Sequence, residues 1–439
     1  MTTFLESIDL TQVGEDMHTL MADLYPICRS ITGEGLRETL RRLPIPLDMH
    51  EVPTGTPVFD WTVPQEWNIR DAYVKNARGE KVIDFQAHSL HILNYSIPIR
   101  AKMTLDELMS HLYSLPEYPD WIPYRTSYYA PNWGFCLRHR DLLALEPGDY
   151  EVVIDSTLAD GHLTYGEYFL PGATADGIHP ADEVLISCHS CHPSLCNDNL
   201  SGVMIAAFLA RHLSNIPHRL SYRFLFIPGT IGSITWLALN EEKTKNIRHG
   251  LVIATAGDSG HMHYKKSRSG DADIDRVVIH VLQKSGDPFE VMDFSPYGYD
   301  ERQYGSPGFN LPVGNLSRTP HGRFPEYHTS ADNLEFVRPE YLADSFAKFL
   351  GVFEVLEGNR KYLNKNPKGE PQLGRRGLYG AFGGRKDAKI SELAMLWVLN
   401  YSDGRHALLD IAEKANLEFK YIRTAADALI NAGLLEAID

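Results

Sequence analysis

The sequence has no long apolar run, no excess of basic residues and few cysteines, and each shortage excludes a class of protein. No apolar run is long enough to cross a bilayer, and the N-terminal segment lacks the basic and apolar regions of a signal peptide. The formal net charge of −15 disfavours a nucleic-acid or membrane-surface partner, because both require a basic face. The five cysteines are an odd number, and without an export signal we expect them to be reduced thiols in a cytoplasm.

Three of the cysteines crowd into the stretch ISCHSCHPSLCNDNLSG, residues 186–202. Cys188, Cys191 and His192 have the CxxCH spacing of a c-type haem attachment site. Haem of this type is normally attached after export, and a lone CxxCH arises easily by chance. We therefore do not predict a haem protein from this stretch.

The rhythm of the chain predicts an α/β fold with an insertion. From residue 182, short apolar runs such as EVLISCHS alternate with helical segments such as NLSGVMIAAFLARHLSN. This alternation predicts a doubly wound, mostly parallel sheet, whose sites form at the carboxyl ends of its strands. Earlier in the chain, short β-rich runs separated by Pro, Gly and Asn predict a β-rich insert. The predicted domains are a catalytic domain (1–50 and 171–365), an inserted β-rich domain (51–170), a linker (366–387) and a winged helix-turn-helix (388–439).

The C-terminal unit raises the question of DNA binding. Residues 388–439 hold five Lys and Arg against eight Asp and Glu. A DNA-binding domain should be basic, so we favour a role for this unit in packing against the rest of the chain or in dimerisation. A homo-oligomer is therefore left open.

Four candidate metal ligands fall at predicted strand ends or in the loops that follow. They are His189, Asp198, Asp258 and His328. Each one alone has an ordinary structural explanation, as Asp198 could simply cap the next helix. Two imidazoles and two carboxylates at one sheet edge form a set suited to Zn²⁺, and Mn²⁺ would also accept it.

The order of these residues resembles that of the co-catalytic zinc aminopeptidases of the leucyl aminopeptidase type. The chain is more closely similar to a bacterial aminopeptidase-like group with an inserted β-domain and a C-terminal winged helix. Runs that carry this resemblance include LYPICRSITGEGLRETL, YRTSYYAPNWGFCL, SCHSCHPSLCNDNLSG and YKKSRSG. The resemblance implies one or two zinc ions, with Asp198 as the bridging ligand. It also implies that Cys191 replaces an Asp that orients the first histidine, and that His192 is an extra ligand or a supporting neighbour.

The sequence departs from the resemblance at Pro228-Gly229-Thr230, where the closer group has Pro-Glu-Thr. If Gly229 occupies the place of the general base, a contribution of about 10²–10⁴ to the rate is missing. Three explanations stay open: a degenerate relative, a replacement carboxylate such as Glu301 or Glu326, or an introduced substitution. A fourth is structural, since a turn with positive φ would require glycine.

Five further residues are candidates for binding substrate: the cations Arg29, Lys265 and Arg268, and the aromatic residues Tyr304 and Tyr327. We expect a hydrolase that cleaves an amide next to a free amine in a small peptide or similar amide. The alternatives are a catalytically degenerate metal-binding protein, a regulatory or scaffold protein, and a metal-dependent acyl transferase on the same fold.

Overall fold

The carboxyl ends of four parallel strands form the edge on which the candidate ligands lie. The structure is a computed structural model that describes residue 4 and residues 8–173, 182–378 and 388–438. Part of the predicted linker, residues 379–387, lies outside the described residues. Within the described residues, no helix has both the length and the apolar character needed to cross a membrane.

The strands of the described residues have the following bounds: β1 Asp48–Pro53, β2 Pro57–Val58, β3 Trp61–Thr62, β4 Glu66–Lys75, β5 Lys81–Asp84, β6 Ile99–Thr104, β7 Leu112–Tyr113, β8 Phe135–Cys136, β9 Asp149–Ala159, β10 His162–Leu170, β11 Glu183–His189, β12 Ser221–Ile227, β13 Ile247–Ile253, β14 Met262–Lys265, β15 Phe289–Met292, β16 Val313–Ser317, β17 Lys361–Asn364, β18 Asp403–Ala407 and β19 Leu435–Ala437.

The α-helices of the same residues have these bounds: α1 Leu10–Leu24, α2 Glu34–Arg41, α3 Leu105–Met109, α4 His139–Leu143, α5 Gly202–Leu213, α6 Ile231–Leu239, α7 Glu241–Thr244, α8 Asp273–Ser285, α9 Glu301–Tyr304, α10 Pro339–Gly358, α11 Ala388–Tyr401, α12 Leu408–Ala415 and α13 Phe419–Asn431.

The largest sheet has eight strands in the order β1-β10-β12-β11-β13-β16-β14-β15. Its central strands β12, β11, β13 and β16 are parallel, and β10 pairs antiparallel with both β1 and β12. Strand β14 pairs antiparallel with β16 and parallel with β15. Every residue of β11 and β12 is buried, as expected for parallel strands that are covered on both faces. The predicted mixed α/β class with a mostly parallel central sheet is confirmed.

The predicted insert contributes a second sheet, which is antiparallel and has the order β5-β4-β9-β6. Its last strand in the chain, β9, is followed directly by β10, which belongs to the large sheet and pairs with β1. Strands β1 and β10 thus join the core of the α/β sheet, although the sequence gives them the same β-rich texture as the insert.

The chain divides into two compact units. The larger unit contains residues 8–275 and 288–347, with both sheets described above. The smaller unit contains residues 276–287 and 348–439, and within it helices α11, α12 and α13 accompany the three-stranded sheet β18-β17-β19. This arrangement of three helices and a small sheet is that of a winged helix-turn-helix, as predicted.

Candidate metal centre

Two histidines from distant parts of the chain converge on one buried aspartate. His189 is the last residue of β11, Asp198 lies in the turn before α5, and His328 lies in the loop between β16 and α10. The Nε2 atom of His189 is 2.8 Å from Oδ1 of Asp198, and the Nε2 atom of His328 is 2.9 Å from Oδ2. Each oxygen of the carboxylate therefore faces a different imidazole. The structure brings three of the four predicted ligands together.

The turn that carries Asp198 is fixed by Asp332, which the sequence reasoning missed. The carboxylate of Asp332 accepts hydrogen bonds from the backbone N–H groups of Asn197 (2.5 Å) and Asp198 (2.9 Å). Asn199 donates through its side-chain amide to the backbone oxygens of His189 and Ile253, which ties the turn to the ends of β11 and β13. The position of Asp332 in YHTSADN, four residues after His328, was the available signal.

The electrostatics of the site favour an ionised carboxylate at Asp198 and a neutral imidazole at His192. Burial opposes the ionisation of Asp198, but the neighbouring His192, His189 and His328 outweigh it and hold the pKa of Asp198 well below its usual range. Burial lowers the pKa of His192 to about 3, so that imidazole is neutral at neutral pH. Metal ligands must be deprotonated, and both groups meet this requirement.

His192 is placed as an additional ligand candidate. One ring nitrogen of His192, one of His189 and an oxygen of Asp198 all lie within 4.8 Å of one another. The loop that carries His192 is anchored by Arg29, whose Nε donates to the His192 backbone oxygen (3.0 Å). The sulfur of Cys191 lies 3.8 Å from Nδ1 of His192, and burial raises its pKa to about 12. Cys191 is thus a protonated neighbour of His192, whereas the resemblance implies an orienter of His189.

Asp258, the fourth predicted ligand, is not brought into this group. Its carboxylate accepts hydrogen bonds from the Asn197 side-chain amide, from the Gly260 N–H, and from the N–H and hydroxyl of Thr319. These four donors occupy the acceptor positions of the carboxylate. Asp258 therefore acts on the site through Asn197, next to Asp198 in the chain.

A cavity of 220 Å³ opens beside His189. Its walls are formed by residues 189, 192, 229, 230, 297–300, 302, 321 and 327. Gly229 is one of the wall residues, and a Cβ at this position would lie 3.0 Å from Cβ of His189 and 3.8 Å from Oδ1 of Asp300. Gly229 is not among the glycines with positive φ, so the backbone conformation does not require glycine there. Of the four explanations for Gly229, the turn with positive φ is therefore excluded.

Asp300 is the carboxylate that the structure places in the cavity wall, and the sequence reasoning missed it. Its side chain is fully buried, Oδ1 accepts from the hydroxyl of Ser233 (2.8 Å), and Oδ2 has no hydrogen-bond partner among the described residues. Burial raises the pKa of Asp300 to about 6. Asp300 directly precedes the short helix α9, in a stretch without periodicity that would have predicted which side chain faces the cavity.

Neither of the two predicted replacement carboxylates lines the cavity. Glu301 forms a buried ion pair with Lys265. Glu326 is half-buried in the His328 loop, where its backbone oxygen accepts from Thr329. Glu301 is thus paired with Lys265, and Glu326 lies outside the cavity wall. The carboxylate beside Gly229 is that of Asp300.

Four of the five predicted substrate-binding residues have structural partners instead. Arg29 is buried and donates to the backbone of Leu24 and His192, and Lys265 donates to the backbone oxygens of Ser295 and Tyr297 besides its pairing with Glu301. Arg268 donates to Oδ1 of Asn310, and the Tyr304 hydroxyl is hydrogen bonded to Ser187 in the core. Tyr327 does line the cavity, and its ring stacks on that of His328 with centroids 3.9 Å apart.

Comparison with known families identifies the chain. The family described as "Domain of unknown function (DUF4910)" matches residues 18–359, and a winged helix-turn-helix family matches residues 360–437. The chain belongs to the DUF4910 family. In this DUF4910 protein, the family match covers all the residues that surround the cavity.

A curated relative from Clostridium acetobutylicum is 53% identical over 430 residues, which is 98% of both chains. It is named as a candidate polysaccharide biosynthesis protein with an aminopeptidase-like domain. A crystal structure of a candidate peptidase from the same organism matches 98% of both chains at 51% identity, with a TM-score of 0.92.

A zinc aminopeptidase from Bacillus subtilis shares the fold at much lower identity. It is 12% identical, and the match covers 77% of the DUF4910 protein and 94% of the aminopeptidase with a TM-score of 0.55. The aminopeptidase-like fold expected from the sequence is thereby confirmed.

Proposed function

We propose that this DUF4910 protein is a metal-dependent, aminopeptidase-like hydrolase that cleaves an amide next to a free amine in a small peptide or peptide-like substrate. The observation that carries the proposal is the convergence of His189 and His328 on the two oxygens of Asp198 beside a cavity. The aminopeptidase-like name of the Clostridium relative and the shared fold of the Bacillus zinc aminopeptidase support it.

The residues present fit a divalent metal of the first transition row. Two imidazole nitrogens and a buried, ionised carboxylate are the N and O donors that Zn²⁺ prefers, and His192 offers a further nitrogen. When bound, the metal would supply a Lewis acid for the carbonyl of the amide. His189, Asp198 and His328 would hold it, and the bonds from Asp332 to the Asp198 turn would keep the ligands oriented.

Asp300 is the group that we assign to proton transfer. Its unpartnered Oδ2 would accept the proton of the attacking water and pass it to the leaving amine. A catalytic base works best when its pKa lies near the working pH, and a pKa of about 6 meets this condition. In this proposal Asp300 is the general base, the role that a glutamate at position 229 would otherwise have.

The proposal is tested by metal analysis combined with hydrolysis. We expect purified protein supplied with Zn²⁺ to bind at least one ion per chain and to hydrolyse alanyl-alanine amide but not its N-acetyl form. Asp198→Asn is expected to lose both the metal and the activity. A chain that binds less than one ion, or that cleaves both substrates equally, would contradict the proposal.

The second candidate function is a metal-binding protein with degenerate catalysis, and Gly229 favours it. Gly229→Glu would distinguish the two, because it places a carboxylate in the wall beside His189. If Gly229 has removed an essential base, Gly229→Glu raises the rate by about 10²–10⁴, whereas Gly229→Gln, of the same size, does not. An equal rate in the parent chain and in Gly229→Glu would speak against degeneracy.

A further inference from the structure

The cavity wall contains an arginine with an unpartnered buried donor. Arg302 and Asp300, which are opposite in charge, both line the cavity. The Nε atom of Arg302 is buried and has no hydrogen-bond partner among the described residues. No carboxylate of those residues forms an ion pair with it. A buried guanidinium donor that lacks a partner costs free energy in the folded protein, which a ligand can recover.

The other cations near the cavity are not available to pair with a bound anion. Lys265 is held by Glu301, Arg29 by backbone oxygens, and Arg268 by Asn310. Among the described residues of the wall, Arg302 is the one lysine or arginine, and its wall neighbours include His321 and Tyr297. An anionic group that entered the cavity would therefore meet its charge partner at Arg302.

We infer that Arg302 binds a free carboxylate of the substrate, so that the pocket selects small peptides with an unblocked C-terminus. This inference rests on the proposed function, in which the amide to be cleaved lies at His189 and Asp198. Arginine suits a carboxylate because its planar, forked donors match the two carboxylate oxygens. A cavity of 220 Å³ requires a small substrate, in which the amide and the terminal carboxylate are close enough to be held together.

The test is a binding comparison between alanyl-alanine and alanyl-alanine amide, made by calorimetry on the zinc-loaded full chain. Removing a hydrogen bond to a charged group weakens binding by about tenfold or more, so amidation should have this effect on the parent protein. In Arg302→Gln, both ligands should bind equally and weakly. Arg302→Lys, which keeps the charge without the fork, should show an intermediate preference.

Arg268→Gln is the matched control, because it removes the same charge from a residue that does not line the cavity. It should keep the parent preference for the free carboxylate. The inference is overturned if the parent chain binds neither ligand, if amidation does not weaken binding, or if Arg302→Gln and Arg302→Lys retain the full preference. Chromatography of the titrated solutions reports hydrolysis separately. If the protein binds the free carboxylate through Arg302 but cleaves neither ligand, the proposed hydrolase function is contradicted, whereas the role of Arg302 is retained.

Discussion

At the scale of single residues, the site is distinguished by buried polar atoms that lack partners. Buried polar groups in folded proteins are nearly always hydrogen bonded. In this chain Oδ2 of Asp300 and Nε of Arg302 are exceptions, and both residues line one cavity beside His189. One of these atoms can accept a proton or a hydrogen bond from a bound molecule, and the other can donate a hydrogen bond to one.

The role of Asp300 predicts a specific pH dependence. A base acts in its ionised form, so kcat should fall as the pH decreases through the pKa of about 6. The Ser233 hydroxyl lowers this pKa by its hydrogen bond, so Ser233→Ala should move the acid limb to higher pH. Asp300→Asn should lower kcat by about 10²–10⁴ with unchanged zinc content.

The measurement is kcat against pH with the metal content determined for each variant. An acid limb that stays in place in Ser233→Ala, or an Asp300→Asn variant with the parent kcat, would remove Asp300 from proton transfer.

At the scale of elements, the loop that carries His328 is held by the segment 122–128 of the insert. The Tyr124 N–H donates to the His328 backbone oxygen (2.7 Å), and the Ser330 N–H donates to that of Ile122 (2.9 Å). The Tyr124 ring also packs edge-on against His192 and His328, with centroids 5.1 Å away in both cases. His328 adopts a φ of 56°, which is unusual for a residue other than glycine and is maintained by these contacts.

This pairing predicts that Tyr124 affects both stability and metal binding. Tyr124→Ala removes a buried ring and should lower the free energy of unfolding by about 3–5 kcal/mol. It should also weaken zinc binding, because His328 loses its support. Tyr124→Phe loses only the hydrogen bond to the Tyr128 hydroxyl, so it should cost about 1 kcal/mol.

Denaturant unfolding and zinc titration of the two variants check this prediction. Zinc affinity that is equal in Tyr124→Ala and the parent protein would show that the segment does not support His328.

At the scale of the whole molecule, a bound metal should stabilise the folded chain through mass action. A ligand at one hundred times its Kd contributes about 2.7 kcal/mol when it binds only the folded state. Added Zn²⁺ should therefore raise the Tm of the parent protein, and a chelator should reverse the effect. Asp198→Asn should show neither change, as thermal unfolding followed by calorimetry would reveal. A shift of equal size in Asp198→Asn would place the bound zinc elsewhere.

The sequence was sufficient for what depends on local pattern and strand order. The short strand β11, with its apolar run Val184–Ile186, and the apolar helix α5 were predictable, and the ends of parallel strands meet at one edge, which is why His189, Asp198 and His328 come together. The membership of β1 and β10 in the large sheet was not predictable, because it depends on pairing between segments distant in the chain. Asp300 lies directly before the four-residue helix α9 and Arg302 lies within it, and so short a segment has no periodicity that signals which side chains will face a cavity.

Because β10 follows β9 directly in the chain, the insert cannot be cut away without damage to the central sheet. Residues 122–128 support the loop that carries His328, and β10, which follows the insert's own sheet, becomes part of the central sheet. Excising residues 51–170 would therefore remove both a strand of the core and a support of His328. The insert is thus built into the aminopeptidase-like domain, and the family match accordingly runs without interruption over residues 18–359.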